Sequence, residues 1–230
     1  MPQPPGFELL AISDRRMVAG GNLEPWFGQV GAAGVGAVQI REKDLGDREL
    51  LALARSARSL LPTETLLLIN GRTDVALAAG SEPADGTTGG GLGVHLPSAG
   101  LPTSAIAEVR ERWGADLRIG RSTHSLAEIE AARDQGADYA TFGPVYPTPS
   151  KAAFGPPTGL AAFERAAALG LPLYALGGVT LERLPELARV GAAGVAGIRI
   201  FLEPGGLSEL VAAARALFPP RSPAATRPPT

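Results

Sequence analysis

The sequence predicts a single-domain α/β protein, a (β/α)8 TIM barrel. Strand and helix signals alternate almost without interruption, eight such units can be counted, and they fit within 230 residues. A barrel of this kind needs roughly 200 to 250 residues, whereas a doubly wound sheet of the same length usually has fewer strands.

The elements follow in order. Glu8 to Ile12 reads as a first buried strand, Leu23 to Ala33 as a weak helix, and Ala37 to Ile40 as a second strand. The helix from Asp47 to Leu61 has the strongest pattern: Leu50, Ala54, Ala57 and Leu61 share an apolar stripe, Arg48, Glu49 and Arg55 take the other side, and Pro62 ends it. Leu66 to Ile69 is wholly apolar, as expected of a parallel strand covered on both faces. A short helix at Asp74 to Ala79 is followed by strand Gly93 to Leu96 and helix Ser104 to Trp113. A strand ending in Ser122, Thr123 and His124 leads to a helix at Ser125 to Gln135, then a strand at Tyr139 to Phe142. Helix Leu160 to Ala168, strand Leu173 to Leu176, helix Leu181 to Val190, strand Gly194 to Ile198 and helix Leu207 to Phe218 complete the series. The barrel therefore spans 7–218. Residues 1–6 read as a flexible start and 81–91 as a flexible insertion, on the face away from a ligand because it joins a helix to the next strand. The tail 219–230, with five prolines, reads as disordered.

Composition excludes several classes. A net charge of -2 offers no electrostatic footprint for nucleic acid or an anionic membrane, and no apolar run approaches the ~20 residues needed to span a bilayer. Cysteine is absent, which removes disulfides, thiolate metal sites and a Cys nucleophile. No pair of histidines or carboxylates has metal-ligand spacing, so no tightly bound metal is expected. A cytoplasmic protein is the default expectation; nothing fixes an oligomeric state.

In a parallel barrel the ligand face lies where strands hand over to helices. Ser122, His124, Thr148, Ser150 and Lys151 follow the fifth and sixth strands and are expected to meet around one molecule, with His124 as the acid/base candidate. The period of two puts Gln39, Arg41 and Lys43 on one side of the second strand; two cations and an amide beside Lys151 favour an anionic ligand. Asn70, in phase with Leu66 and Leu68, either hydrogen-bonds that ligand or turns the chain. Gly177 and Gly178 after the seventh strand, with Gly197 and Ile198 at the eighth, stand where barrel loops commonly cradle phosphate through backbone N–H groups. His95, alone at the fourth strand end, reads more readily as a packed core residue than as a ligand. The segment from Gly143 to Gly159 is longer than the usual ~2 to 6 residues and reads as a lid that swings Lys151 toward the anion.

Taken together, Gln39-Ile40-Arg41-Glu42-Lys43, Leu68-Ile69-Asn70-Gly71-Arg72-Thr73-Asp74, Gly93-Val94-His95-Leu96-Pro97-Ser98, Ile119-Gly120-Arg121-Ser122-Thr123-His124-Ser125, Gly143-Pro144-Val145-Tyr146-Pro147-Thr148-Pro149-Ser150-Lys151 and Ala175-Leu176-Gly177-Gly178-Val179 resemble the thiamine phosphate synthase/TenI superfamily. The resemblance runs from about Phe7 to Phe218. It implies a barrel of thiamine biosynthesis acting on a thiazole ethyl phosphate. Synthases of this superfamily join a pyrimidine diphosphate to carboxythiazole phosphate with magnesium; TenI-type thiazole tautomerases aromatise the thiazole without a metal. Synthases carry an Asp directly after the Asn of the third strand and another in a loop after the fourth, where this chain has Gly71 and Pro97-Ser98-Ala99-Gly100. The eighth strand end, Ala196-Gly197-Ile198-Arg199, is one residue shorter than the family pattern and leaves Arg199 either near the phosphate or facing solvent. The sequence therefore places the tautomerase first, with His124 as the proton shuttle, no cofactor, and a small-molecule thiazole phosphate as partner. The magnesium-dependent synthase comes second and a non-catalytic phosphate-binding regulator third.

Overall fold

The computed structural model describes residues 6–80, 91–113, 117–148 and 156–218. Eight parallel strands close into a barrel in chain order: β1 (Leu9–Ile12), β2 (Ala37–Ile40), β3 (Leu66–Asn70), β4 (Leu92–Leu96), β5 (Leu117–Thr123), β6 (Tyr139–Phe142), β7 (Leu173–Leu176) and β8 (Gly194–Gly197), with β8 returning to pair with β1. Outside them lie α1 (Glu24–Ala32), α2 (Asp47–Leu60), α3 (Thr73–Gly80), α4 (Thr103–Trp113), α5 (Leu126–Asp134), α6 (Gly159–Ala167), α7 (Leu184–Arg189) and α8 (Leu207–Leu217).

Strand alternation divides the core in two. Val38, Ile40, Leu67, Ile69, Val94 and Ile119 belong to the large outer cluster packed under the helices. Leu10, Ile12, Ala37, Leu66, Leu68, Tyr139 and Tyr174 form the smaller cluster that fills the lumen. The lumen floor is aromatic: Phe7 stacks on Tyr174 at 4.7 Å and meets Tyr139 edge-on at 5.3 Å. Gly120 makes room for this packing, since a Cβ there would lie 2.2 Å from Cζ of Tyr139. The same period carries Gln39, Asn70, His95, Ser122 and Thr141 inward one layer above the floor, toward the ends where the strands give way to loops.

β2, β6 and β7 begin and end at the expected residues. The expected helix at 181–190 differs: it opens as a 3-10 turn over Leu181–Arg183 and becomes α-helical at Leu184, with Pro185 in its first turn, where a missing N–H costs little. β8 stops at Gly197, and Arg199–Phe201 form a 3-10 turn that leaves Arg199 exposed. Trp26 of α1 pins this turn by donating its indole N–H to the Phe201 carbonyl at 2.8 Å. The expected flexible start, apart from Gly6, the 81–91 insertion, apart from Gly91, and the tail lie outside the described residues.

Candidate active site

Gln39 is only 2% exposed and its amide nitrogen donates to Asn70 Oδ1 at 2.9 Å, so the two lumen amides on neighbouring strands act as one unit. Gln39 Oε1 is buried without any donor among the described residues. A buried carbonyl left this way invites an N–H or O–H from a bound molecule. Of the two roles the sequence allowed Asn70, a ligand hydrogen bond or a turn of the chain, the structure shows its side-chain oxygen accepting from Gln39.

His95 bridges two strands. Its Nδ1 lies 2.9 Å from the Tyr139 hydroxyl and its Nε2 3.0 Å from Ser122 Oγ, with Thr141 Oγ1 at 3.5 Å. Burial, and then the charges of Arg121 and Arg41, push the imidazole pKa down to about 3. His95 is therefore a neutral, hydrogen-bonded lumen residue, and it touches a candidate ligand-binding hydroxyl.

His124 follows β5 and is exposed at the mouth. Its backbone is held by Glu128, whose carboxylate caps α5 and accepts from the amides of His124 at 2.5 Å and Ser125 at 3.2 Å. Nδ1 lies 2.6 Å from the Gly143 carbonyl. A carbonyl only accepts, so Nδ1 carries the proton, and in the neutral ring Nε2 is left as a lone-pair acceptor. That nitrogen has no hydrogen-bond partner among the described residues and is the available base.

The loops after β6 and β7 are laced together. Val145 and Tyr146 donate their amides to the Leu176 and Gly177 carbonyls at 2.9 and 3.2 Å. Gly177 (φ +94°) and Gly178 (φ +66°) have the positive angles that favour glycine, and added Cβ atoms would sit 2.6 Å from Pro144 and 2.7 Å from Tyr146. Arg183 stacks on the Tyr146 ring, 4.2 Å from its centroid, and donates to the Gly178 carbonyl, while the Tyr146 hydroxyl bonds Glu186. The amides of Gly177, Gly178 and Ile198 meet no acceptor among the described residues. Such unused donors suit a phosphate. Gly197 stays in the β8 ladder opposite Ala11.

Arg41 is half-buried just past β2, and its guanidinium forms no hydrogen bond or ion pair among the described residues. Lys43 is exposed and Thr148 half-buried. The structure thus joins Gln39 to Asn70, Ser122 to His95 and His124 to Gly143. Among the described residues it draws no hydrogen bond between His124 and Arg41, and Ser150 and Lys151 lie outside the described residues. Sequence reasoning did not assign roles to Tyr139, Ser13 or Glu42. Glu42 is buried, accepts from Ser13 Oγ at 2.6 Å and takes the Arg15 amide on both oxygens at 3.2 Å. The parity that separates Glu42 from Arg41 was the one available signal; its partner in the β1 loop was not legible.

The donor set does not fit a protein-held magnesium ion. Gly71 occupies one expected carboxylate position with φ +67°, and the Pro97–Gly100 turn, closed by a 2.8 Å amide bond, carries no acid at the other. The nearby carboxylates are already engaged: Asp44 by Arg15, Asp47 and Asp74 by Arg72, Asp14 by Arg16, Glu42 as above. Among the described residues no three His, Asp or Glu side chains converge.

Fold and site together define a single-domain (β/α)8 barrel enzyme whose polar groups collect at the C-terminal mouth of the strands. A family model described as thiamine monophosphate synthase matches residues 9–201, and the chain belongs to that family, whose enzymes serve thiamine biosynthesis. It is 44% identical over 220 residues to a protein of Geobacter sulfurreducens named "Putative thiamine-phosphate synthase", covering 94% of this chain and 96% of that one. It is 39% identical to the thiamine-phosphate synthase of Anaeromyxobacter dehalogenans over 79% of this chain and 76% of that one. The structure of a thiamine phosphate pyrophosphorylase from Pyrococcus furiosus superposes with a TM-score of 0.76 at 25% identity, covering 93% of this chain and 98% of that one. These relatives carry synthase names, not the TenI name that the sequence reading placed first. Among the described residues no helix is long and apolar enough to cross a membrane.

Proposed function

We propose that this protein is a thiamine-phosphate synthase, a transferase that joins a pyrimidine diphosphate to a thiazole ethyl phosphate with release of diphosphate. The observation that carries this reading is the 39% identity to a protein named as that synthase, across three quarters of both chains. It displaces the tautomerase from first place. As the carbon–oxygen bond to diphosphate breaks, its electron pair leaves with the diphosphate, the thiazole ring nitrogen supplies the pair for the new bond to that carbon, and cations must meet the growing charge. Arg41 and Lys43, side by side past β2, serve that need, while the amides of Gly177, Gly178 and Ile198 hold the thiazole phosphate. Gln39 Oε1 accepts from the ligand, and His124 Nε2 accepts a ligand hydrogen bond at the rim.

One observation favours the tautomerase as a second reading: Asp44, Asp47 and Asp74 near the mouth are engaged by arginines, and among the described residues no three His, Asp or Glu side chains converge on a metal position. In that reaction His124 Nε2 removes a proton from one ring atom and returns it at another, and aromaticity drives the step. The purified protein assayed with both substrate sets, with and without magnesium, separates the readings. Thiamine phosphate formation supports the synthase. Metal-independent aromatisation with no coupling product moves the assignment to the tautomerase, and substrate binding without either reaction moves it to a silent binder.

A further inference from the structure

The Tyr139 hydroxyl lies in the closed floor of the lumen, beside Phe7 and Tyr174, and among the described residues its one hydrogen-bond partner is His95 Nδ1 at 2.9 Å. If Nδ1 carried the imidazole proton, the buried hydroxyl hydrogen would face no acceptor. A buried donor left unpaired costs more than the bond it replaces contributes, so the hydroxyl donates and Nδ1 accepts. His95 is held neutral by burial, which gives its single proton to Nε2. Nε2–H then donates to Ser122 Oγ at 3.0 Å. Thr141 Oγ1, at 3.5 Å from the same nitrogen, is too distant to reverse that order.

Ser122 Oγ is thereby fixed as an acceptor on its inner side, and its own hydrogen is free to point outward from the half-buried end of β5. Arg41 and Arg121 both place positive charge close enough to act on His95. The Arg121 guanidinium is already engaged by the Ser98 and Leu101 carbonyls. A hydroxyl hydrogen in a positive field suits an anionic oxygen. We infer that Tyr139, His95 and Ser122 form a hydrogen-bond relay of fixed polarity that presents the Ser122 hydroxyl as a donor to a phosphate, diphosphate or carboxylate oxygen of the bound substrate. Ser122 touches the ligand; His95 and Tyr139 are positioning residues. The identity of the substrate rests on the synthase reading, whereas the polarity of the relay does not.

The two histidines make the test direct. In uniformly 15N-labelled protein, with His124 identified by its loss in His124→Asn, long-range proton–nitrogen correlation at neutral pH reads the tautomer of His95. The expected result is a proton on Nε2 in the wild type and a mixture of tautomers in Tyr139→Phe. A proton on Nδ1 in the wild type overturns the relay, even if Tyr139→Phe does not fold. Inorganic diphosphate and phosphate serve as calorimetric probes of the anion site. Ser122→Ala should weaken their binding by about 10- to 100-fold, the range for a hydrogen bond to a charged group. Tyr139→Phe should weaken it less, and should add nothing in a Ser122→Ala background. Independent, additive effects, or no saturable binding of either anion, overturn the assignment of Ser122 as anion donor. Because neither measurement needs turnover, failure of the synthase assay and failure of the relay are separate outcomes.

Discussion

The imidazole of His124 and the carbonyl of Gly143, nineteen residues apart, are locked by a 2.6 Å hydrogen bond that spans the ends of β5 and β6. The bond settles which nitrogen faces the ligand: Nδ1 is spent on the backbone and Nε2 is left as the base. If the protein acts as a tautomerase, replacing His124 with Asn should therefore lower turnover about 10²- to 10⁴-fold, the usual loss for general acid–base catalysis, while the substrate's KM changes little. Steady-state kinetics on the purified variant checks this. A fall confined to KM would make His124 a binding residue only.

Gly143 has a second constraint. A Cβ there would lie 2.0 Å from the Leu176 carbonyl oxygen, and backbone cannot step aside as a flexible side chain can. Gly143→Ala should cost about 2–3 kcal/mol in urea unfolding and should also reduce kcat, because the displaced carbonyl no longer orients His124. Stability lost with kcat intact would separate this packing from the imidazole's role.

His95 links the lumen to pH. Unfolded, its imidazole protonates near pH 6.5; folded, burial and the nearby Arg121 and Arg41 hold it neutral down to about 3. Between those values the unfolded state binds more protons, so stability falls as pH falls, beginning below about 6.5. From pH 7 to 5 the loss from this one group should be about 2 kcal/mol, measured by urea unfolding at each pH. His95→Gln should flatten that slope, whatever it does to stability at pH 7.

Arg41 is a half-buried guanidinium at the mouth with neither a carboxylate nor a carbonyl partner among the described residues. Arg41→Met keeps much of the apolar stem and removes the charge, so it should weaken inorganic diphosphate about 10-fold or more and make binding less sensitive to salt. Calorimetry at two salt concentrations reads both effects. Unchanged affinity would leave the anion to Lys43 and the glycine amides.

Local signals explain which parts of this structure were legible in advance. β2, β6 and β7 are short apolar runs whose ends are marked by glycine, proline or charge, and their limits could be read from sequence. β5 runs from Leu117 to Thr123 and stops one residue before the expected His124, and Arg118, Arg121 and the polar Ser122 and Thr123 leave it without the apolar run that marks the others. The 3-10 turns at Arg15–Met17 and Arg199–Phe201 are three residues long and depend on partners far along the chain, Glu42 and Trp26, so no local pattern announced them. The site divides in the same way. A period of two puts Gln39, Asn70 and Ser122 toward the lumen, which sequence alone can state. The bond from His95 to Tyr139 crosses 44 positions and requires the registers of β4, β5 and β6, which only the closed barrel supplies.

Magnesium provides the last prediction. A protein site for this ion needs at least one or two carboxylates free to face it, since magnesium keeps the rest of its shell as water or substrate phosphate. Here the two expected positions are Gly71 and the acid-free Pro97–Gly100 turn, and Asp44, Asp47 and Asp74 are tied to Arg15 and Arg72. Added magnesium should therefore raise the Tm of the ligand-free protein no further than a monovalent salt of equal ionic strength. Gly71 has a φ of +67°, a conformation that aspartate tolerates better than most side chains, so Gly71→Asp combined with Ala99→Asp is a practical converse. That double variant should gain a saturable, magnesium-specific rise in Tm by thermal melting. A saturable rise already present in the unaltered protein would mean that one of the arginine-bound carboxylates exchanges its partner for the metal, and the charge balance assigned to Arg41 and Lys43 would have to be redrawn.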